Sequence, residues 1–264
     1  KFVSTRGEAP ALSFEGAPAS VSATGTLAVG NSVRDTVGNQ LVASTTVLAD
    51  GQAPLAPGIP ALSSGSTQIN AARESPGFAV LVPLSSSGAI VGDSMELLRG
   101  GTPFPTPLLH TITTADVVFG SVVFAIERGQ LGSDGAKEIS ARATDSAGNR
   151  GAAGGTLSLT LDTASPTLAS AKITGSNQAT FSYSESVFST TTDYANLILS
   201  GGDARTALSS TGSSTATIFL SFGGAVVATN ATGTIAIGNT VTDSAGNALS
   251  ATTTALTDGQ SPLA

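Results

Sequence analysis

The sequence predicts an all-β chain built from antiparallel β-sandwich modules with Greek-key connections. Three observations carry this: short segments alternate apolar and polar residues, turn signals recur about every ten residues, and one long stretch occurs twice. No segment sustains a 3.6-residue period long enough to predict a helix, and the abundant Ser, Thr and Val suit a pleated surface better.

The repeat sets the domain organisation. Residues 23–56 align without gaps with residues 231–264, identical at 22 of 34 positions, and the offset of 208 continues upstream with Leu12 over Leu220, Phe14 over Phe222 and Gly16 over Gly224. A weaker echo lies between them, where residues 143–149 repeat residues 241–247 at six of seven positions. The chain therefore reads as a partial module at 1–56, a module of a second type at 57–165, and a complete module of the first type at 166–264. The boundaries fall at Pro54, Pro57, Pro60 and Pro166, where proline cannot donate to a ladder and pushes the preceding residue extended.

Individual strands follow from alternation. Ile139, Ala141 and Ala143 alternate with Ser140, Arg142 and Thr144, and Leu157, Leu159 and Leu161 with Ser158 and Thr160. The same period appears at Ala179, Phe181 and Tyr183, and at Ile218, Leu220 and Phe222. The continuous apolar runs 78–82 and 117–119 read as strands buried on both faces. With no cysteine and no tryptophan, each core must rest on aliphatic and phenylalanine side chains.

Composition excludes several functions. Lys and Arg total 11 against 18 acidic residues, a formal charge of −7 without basic clusters, so nucleic acid and anionic lipid are poor partners. No apolar run approaches the roughly 18 residues of a membrane helix, so membrane insertion is not expected. One histidine and no cysteine leave little for proton shuttling, thiolate attack or transition-metal ligation, and no enzyme is expected. A hydrolase using Glu127 and Asp134 would need two acids held across a cleft, which nothing in the sequence supports.

Two motifs recur. Asp-x-x-Gly-Asn occurs at 35–39, 145–149 and 243–247, between strand-like segments. A tight turn explains it, with aspartate accepting backbone N–H groups and glycine supplying a positive φ; a calcium loop is the alternative, although one carboxylate falls short of the six to eight oxygens calcium takes. The second motif is the handover, Asp50-Gly-Gln-Ala-Pro54 and Asp258-Gly-Gln-Ser-Pro262, with Asp162-Thr-Ala-Ser-Pro166 related. It reads as a linker turn, or as a junction cation site using Asp50, Asp162 or Asp258 with a second carboxylate that the sequence does not place.

Other polar residues have plain readings. His110 sits on an alternating surface strand without a second histidine, Glu185 reads as a solvated strand end or a sugar contact, and Asn230-Ala-Thr232 is a formal glycosylation sequon. A glycan ligand is weakly supported, because exposed aromatic platforms are scarce: only Tyr183 and Tyr194 supplement the phenylalanines.

Residues 141–149, followed by residues 156–166, closely resemble the ending and handover of bacterial immunoglobulin-like repeats in giant surface adhesins. The flanking type, with residues 180–187 early and 241–249 late, is similar to the Ig-like modules of bacterial S-layer and other cell-surface proteins. The resemblance implies tandem Ig-like modules in an extracellular, cell-surface stalk, filament or layer, with calcium frequently bound at junctions and no catalysis. The expected function is a non-enzymatic structural segment, with an adhesin module binding a glycan or host ligand as the alternative. Expected partners are other copies of the chain or adjacent modules.

Residues 1–56 match only the later part of the module completed at 166–264. Three readings stand: the first strands lie upstream in a longer chain, a neighbouring subunit supplies them by strand addition, or 1–56 is a small divergent domain.

Overall fold

In a computed structural model, the structure describes residues 2–3, 11–12, 25–29, 34, 37–40, 42–228 and 230–260. The protein is all-β apart from short helical turns. It divides into two compact units, one comprising Lys1–Ala61, Val80–Phe124 and Ile139–Leu157, the other Leu62–Ala79, Ala125–Glu138 and Ser158–Ala264.

In the first unit, β1 (Phe2–Val3) pairs antiparallel with β2 (Ala11–Leu12), Phe2 opposite Leu12. β3 (Gly25–Val29) pairs antiparallel with β4 (Ser44–Leu48), Gly25 opposite Leu48 and Val29 opposite Ser44. In chain order there follow β5 (Ala61–Leu62), then β6 (Gln68–Ile69) and α1 (Ala71–Glu74), both of which belong to the second unit, and β7 (Phe78–Pro83). In β7 only Val80 and Val82 are buried, with half-buried neighbours, so the run 78–82 is a half-buried strand and not one covered on both faces as its composition suggests.

β8 (Ser94–Arg99) is the best-covered strand of the first unit, with Met95, Leu97 and Leu98 at 0% exposure. It pairs antiparallel with β9 (Thr102–Thr111), Met95 opposite His110. After β9 the chain forms α2 (Thr114–Phe119), then β10 (Ser121–Ile126), β11 (Gly135–Thr144) and β12 (Leu157–Leu161). Residues 139–144 of β11 pair antiparallel with β8, and Ile139, Ala141 and Ala143 are fully buried as their alternation predicts. Glu96 of β8 receives Arg142 at 2.6 Å and Arg150 at 2.9 Å. Burial pushes the Glu96 carboxyl up, but the two guanidiniums outweigh it and hold it below the usual carboxylate range.

The run 117–119 is helical, not a buried strand. Val117, Val118 and Phe119 belong to α2, no residue of which is buried. Local capping overrides β-branched propensity: Thr113 and Asp116 form a reciprocal capping box, and Gly120 closes the helix with φ +80°. His110 Nε2 meets Asp116 at 2.8 Å, so the surface-strand histidine is tied to the same cap.

The second unit contains the parallel pair β6 and β12, with Leu161 opposite Ile69, and a module of eight paired strands. That module comprises β13 (Leu168–Gly175), β14 (Gln178–Val187), a 3-10 turn at Thr191–Asp193, β15 (Tyr194–Leu199), β16 (Asp203–Arg205), β17 (Ala207–Thr211), β18 (Thr215–Phe222), β19 (Gly233–Ile237) and β20 (Thr252–Asp258). The strand order is β16-β15-β19-β20-β13-β14-β18-β17. Every pairing is antiparallel except β13 with β20, which run parallel through Lys172↔Thr257 and Ile173↔Asp258. That pair joins two antiparallel layers, and the core between them is drawn from both: Ile173, Phe181, Ile218 and Phe222 from one, Leu197, Ile235 and Ile237 from the other. Tyr183 and Tyr194 are buried within it, their hydroxyls 3.1 Å apart, so they are not surface platforms.

Candidate metal centre

The Asp-x-x-Gly-Asn motif folds as a turn closed by an antiparallel bridge six residues apart, at Arg34↔Gln40, Thr144↔Arg150 and Thr242↔Ala248. Gly38, Gly148 and Gly246 take φ of +97°, +93° and +89°, which a side chain would strain. Asp35 lies outside the described residues. In the other two copies the bonding is the same. Asn149 donates its backbone N–H to Asp145 Oδ1 at 2.8 Å and its amide to Oδ2 at 2.8 Å, and Asn247 does so to Asp243 at 2.9 and 2.8 Å.

The handover motif is an Asx turn in all three places. Gln52, Ala164 and Gln260 donate backbone N–H groups to Asp50, Asp162 and Asp258 at 3.0, 3.3 and 2.9 Å. The two motifs meet. Asn149 Nδ2 donates to the carbonyl of Asp50 at 3.1 Å, and Asn247 Nδ2 to that of Asp162 at 2.8 Å. Asn247 is 4% exposed, and its Oδ1 also accepts the N–H of Ala71.

Around Asp162 this arrangement gathers charge. Asp162, Glu185 and Asp243 bring carboxylate oxygens within 4.8 Å of one another, the only such acidic group among the described residues. Three elements place them. The peptide N–H of Asp162 is held by Ile69 O, and Thr167 pins the junction to β14 through bonds of 2.9 Å each way with Ser184, one residue from Glu185. Reciprocal bonds between Phe188 and Thr242 bring the end of β14 beside Asp243. Glu185 is therefore half-buried beside two carboxylates and is not the solvated strand end that its surroundings in sequence suggest.

The electrostatics are those of crowded like charges. Burial, then the charge of Asp243, pushes the Asp162 carboxyl above its ordinary range; burial, then Asp243 and Asp162, pushes Glu185 up. At Asp145 the balance is opposite: burial raises the carboxyl, but hydrogen bonds from Asn149, Ala147 and Gly148 bring it below the usual range. Three carboxylates on separate elements are a hard-oxygen donor set, and Asp162, Glu185 and Asp243 fit calcium by ligand chemistry. Asp50 and Asp258 belong to no such group among the described residues.

The remaining sequence candidates stand apart from this centre. Glu127 and Asp134 are both exposed, and Asp134 is engaged by the N–H and hydroxyl of Thr163, each at 3.0 Å. Asn230 of the sequon is exposed in a turn. No helix among the described residues is long and apolar enough to cross a membrane.

No family model matches the chain, and no curated protein matches it. Among solved structures, fibronectin(III)-like modules of Clostridium thermocellum CbhA align over 76% of this chain and 94% of theirs, at 13% identity and a TM-score of 0.31. A 1.5-MDa bacterial ice-binding adhesin aligns over 90% of this chain and 73% of its own, at 16% identity and a TM-score of 0.32. A calcium-stabilised, ice-binding adhesin of an Antarctic bacterium aligns over 90% of this chain and 56% of its own, at 17% identity and a TM-score of 0.37.

Proposed function

We infer that this chain is a non-enzymatic structural segment of a bacterial extracellular protein, a series of Ig-like modules that serves as a stalk or spacer. The observation that carries this reading is the repeated bond from a turn asparagine to a handover carbonyl, Asn149 to Asp50 and Asn247 to Asp162. A linker designed for free swivelling would leave that carbonyl to water; here the handover is bound into the fold that follows it. At the second handover Asp162, Glu185 and Asp243 hold a divalent cation, calcium by the hardness of the ligands. Bound there, calcium neutralises the mutual repulsion of the three groups and ties junction, strand and turn together.

Thermal unfolding in calcium chloride and in EDTA tests the cation, with Glu185→Gln as the control. Calcium should raise the Tm of the wild type and leave the variant nearly unchanged. Equal Tm values in both buffers for the wild type would remove the cation from the reading. Antibody labelling of intact producing cells tests the location, and labelling only after permeabilisation would end the extracellular assignment.

A further inference from the structure

The alternation that buries Ile218, Leu220 and Phe222 leaves the intervening residues of β18 on the outer face of its sheet, and one of them is aromatic: Phe219 is 54% exposed. A ring held in water forgoes the burial that would stabilise it, and a threonine would suit the same strand position. Strand register shows what surrounds it. Lys172 of β13 lies opposite Thr180 of β14, Thr180 opposite Phe219, and Phe219 opposite Thr211 of β17, so these residues form one row across the sheet. The flanking rows are Ser170, Ser182 and Thr217 on one side and Gln178, Ser221 and Ser209 on the other.

The rows make a face with one ring at its centre, hydroxyls and an amide around it, and Lys172 as their single charge. Part of it is ordered in advance: the hydroxyls of Ser209 and Ser221 lie 2.7 Å apart, and those of Thr174 and Thr180 2.8 Å apart. Beside the ring is a shallow depression of about 390 Å³, walled by Gln178, Ser209, Thr211 and Ser221. These features select among ligands. A nucleic acid needs several cations and a lipid surface needs continuous apolar cover, and the three rows offer neither. A protein partner draws affinity from clustered aromatic and arginine anchors, whereas here one ring stands among hydroxyls. A neutral sugar matches the set: the C–H face of a pyranose packs on a ring, and its hydroxyls exchange hydrogen bonds with Ser, Thr and Gln side chains, which both donate and accept.

We propose that the outer face of β13, β14, β18 and β17 binds a neutral polysaccharide. One pyranose ring stacks on Phe219 and directs its hydroxyls to Gln178, Ser209 and Ser221 in the depression, and the chain continues along the row towards Thr180 and Lys172. That row crosses three strand spacings, about 14 Å, the length of a short oligosaccharide and more than a single sugar fills. Hydroxyls already paired in place lower the ordering cost of binding. The site adds a ligand to the structural reading and depends neither on the cation at Asp162 nor on the spacer role.

The test follows amide resonances of the isotope-labelled full chain during titration with neutral hexasaccharides of glucose, N-acetylglucosamine, mannose and galactose, each taken into the millimolar range. At least one should shift the amides of 178–182, 209–211 and 217–221 and leave those of 139–144, the internal reference, in place. Phe219→Ala should weaken that binding by about tenfold or more, and Phe219→Trp should match or exceed the wild type, because the larger ring offers more stacking area. Phe219 lies outside the core, so both variants keep the fold, and unchanged resonances at 233–237 check this. No shift at the face with any of these sugars overturns the proposal, as does binding that Phe219→Ala leaves intact. Shifts at the same residues that grow with protein concentration in the absence of sugar overturn it as well, in favour of a face that pairs copies of this chain.

Discussion

Asn247 donates its side-chain amide to the carbonyl of Asp162, 85 residues earlier, and Asn149 stands in the same relation to Asp50, 99 residues earlier. Each asparagine also closes its own turn, so one side chain, buried at Asn247 and half-buried at Asn149, serves both the turn and the segment that enters it.

Asn247→Ala leaves the Asp162 carbonyl, the Ala71 N–H and Asp243 Oδ2 without their side-chain partner, while the backbone N–H of residue 247 still reaches Asp243 Oδ1. Unsatisfied buried groups cost about 1–3 kcal/mol, so the variant should lose at least that much of the second unit's stability. Urea unfolding checks it, and an unchanged midpoint would show that water replaces the amide without cost.

Without a cation, the acidic group should make stability fall as pH rises. Asp162 and Glu185 have carboxyls raised in the folded state, which therefore holds more protons than the unfolded chain from about pH 4 upward. Denaturation in EDTA should show stability greatest below that range and declining towards neutrality. Glu185→Gln should flatten the decline and be more stable than the wild type in EDTA at pH 7.

Calcium should reverse that order. At a concentration one hundred times its dissociation constant, a ligand specific for the folded state adds about 2.7 kcal/mol, roughly 5–10 °C in Tm for a domain of this size. Calorimetry of wild type and Glu185→Gln in both buffers should therefore show the two proteins exchanging rank.

Asp116 gives a dependence of opposite sign. Burial raises its carboxyl, but hydrogen bonds from Thr113 and His110 dominate and bring it down to about 2. Its contribution is complete above the unfolded value near 4 and disappears as pH falls through about 2. Asp116→Ala should destabilise the first unit by about 0.5–2 kcal/mol at pH 7, the ordinary value of a helix cap, and by progressively less as pH falls towards 2.

Gly212 has φ +96°, and a Cβ there would run into the carbonyl oxygen of Thr217. Gly212→Ala should cost about 1–3 kcal/mol through backbone strain, read as a lower urea midpoint. A neutral effect would mean the β17–β18 turn relaxes freely.

Much of the fold was legible because it is periodic. Ala179, Phe181, Tyr183, Ile218, Leu220 and Phe222 all bury the face that alternation assigns them. The helix at Thr114–Phe119 was not, because three hydrogen-bonding residues at its ends outweigh the β preference of Val117 and Val118. The acidic centre was half legible. Asp162 stood out by position, whereas Glu185 reaches it only through the Phe188–Thr242 bridge and the Thr167–Ser184 bonds, which are tertiary. The clamp had one available signal: its two motifs recur together, once per module.

Parallel pairing of β13 with β20 has a mechanical consequence. Lys172 and Ile173 face Thr257 and Asp258 with both strands running the same way, so the module's two ends leave in opposite directions along the hydrogen-bonded seam. Tension applied through those ends therefore slides one strand along the other and loads its bonds together, where an antiparallel terminal pair would open one bond at a time. A single-molecule pulling experiment should register this module as a discrete force peak, and moving one attachment point into the β18–β19 loop should lower that peak.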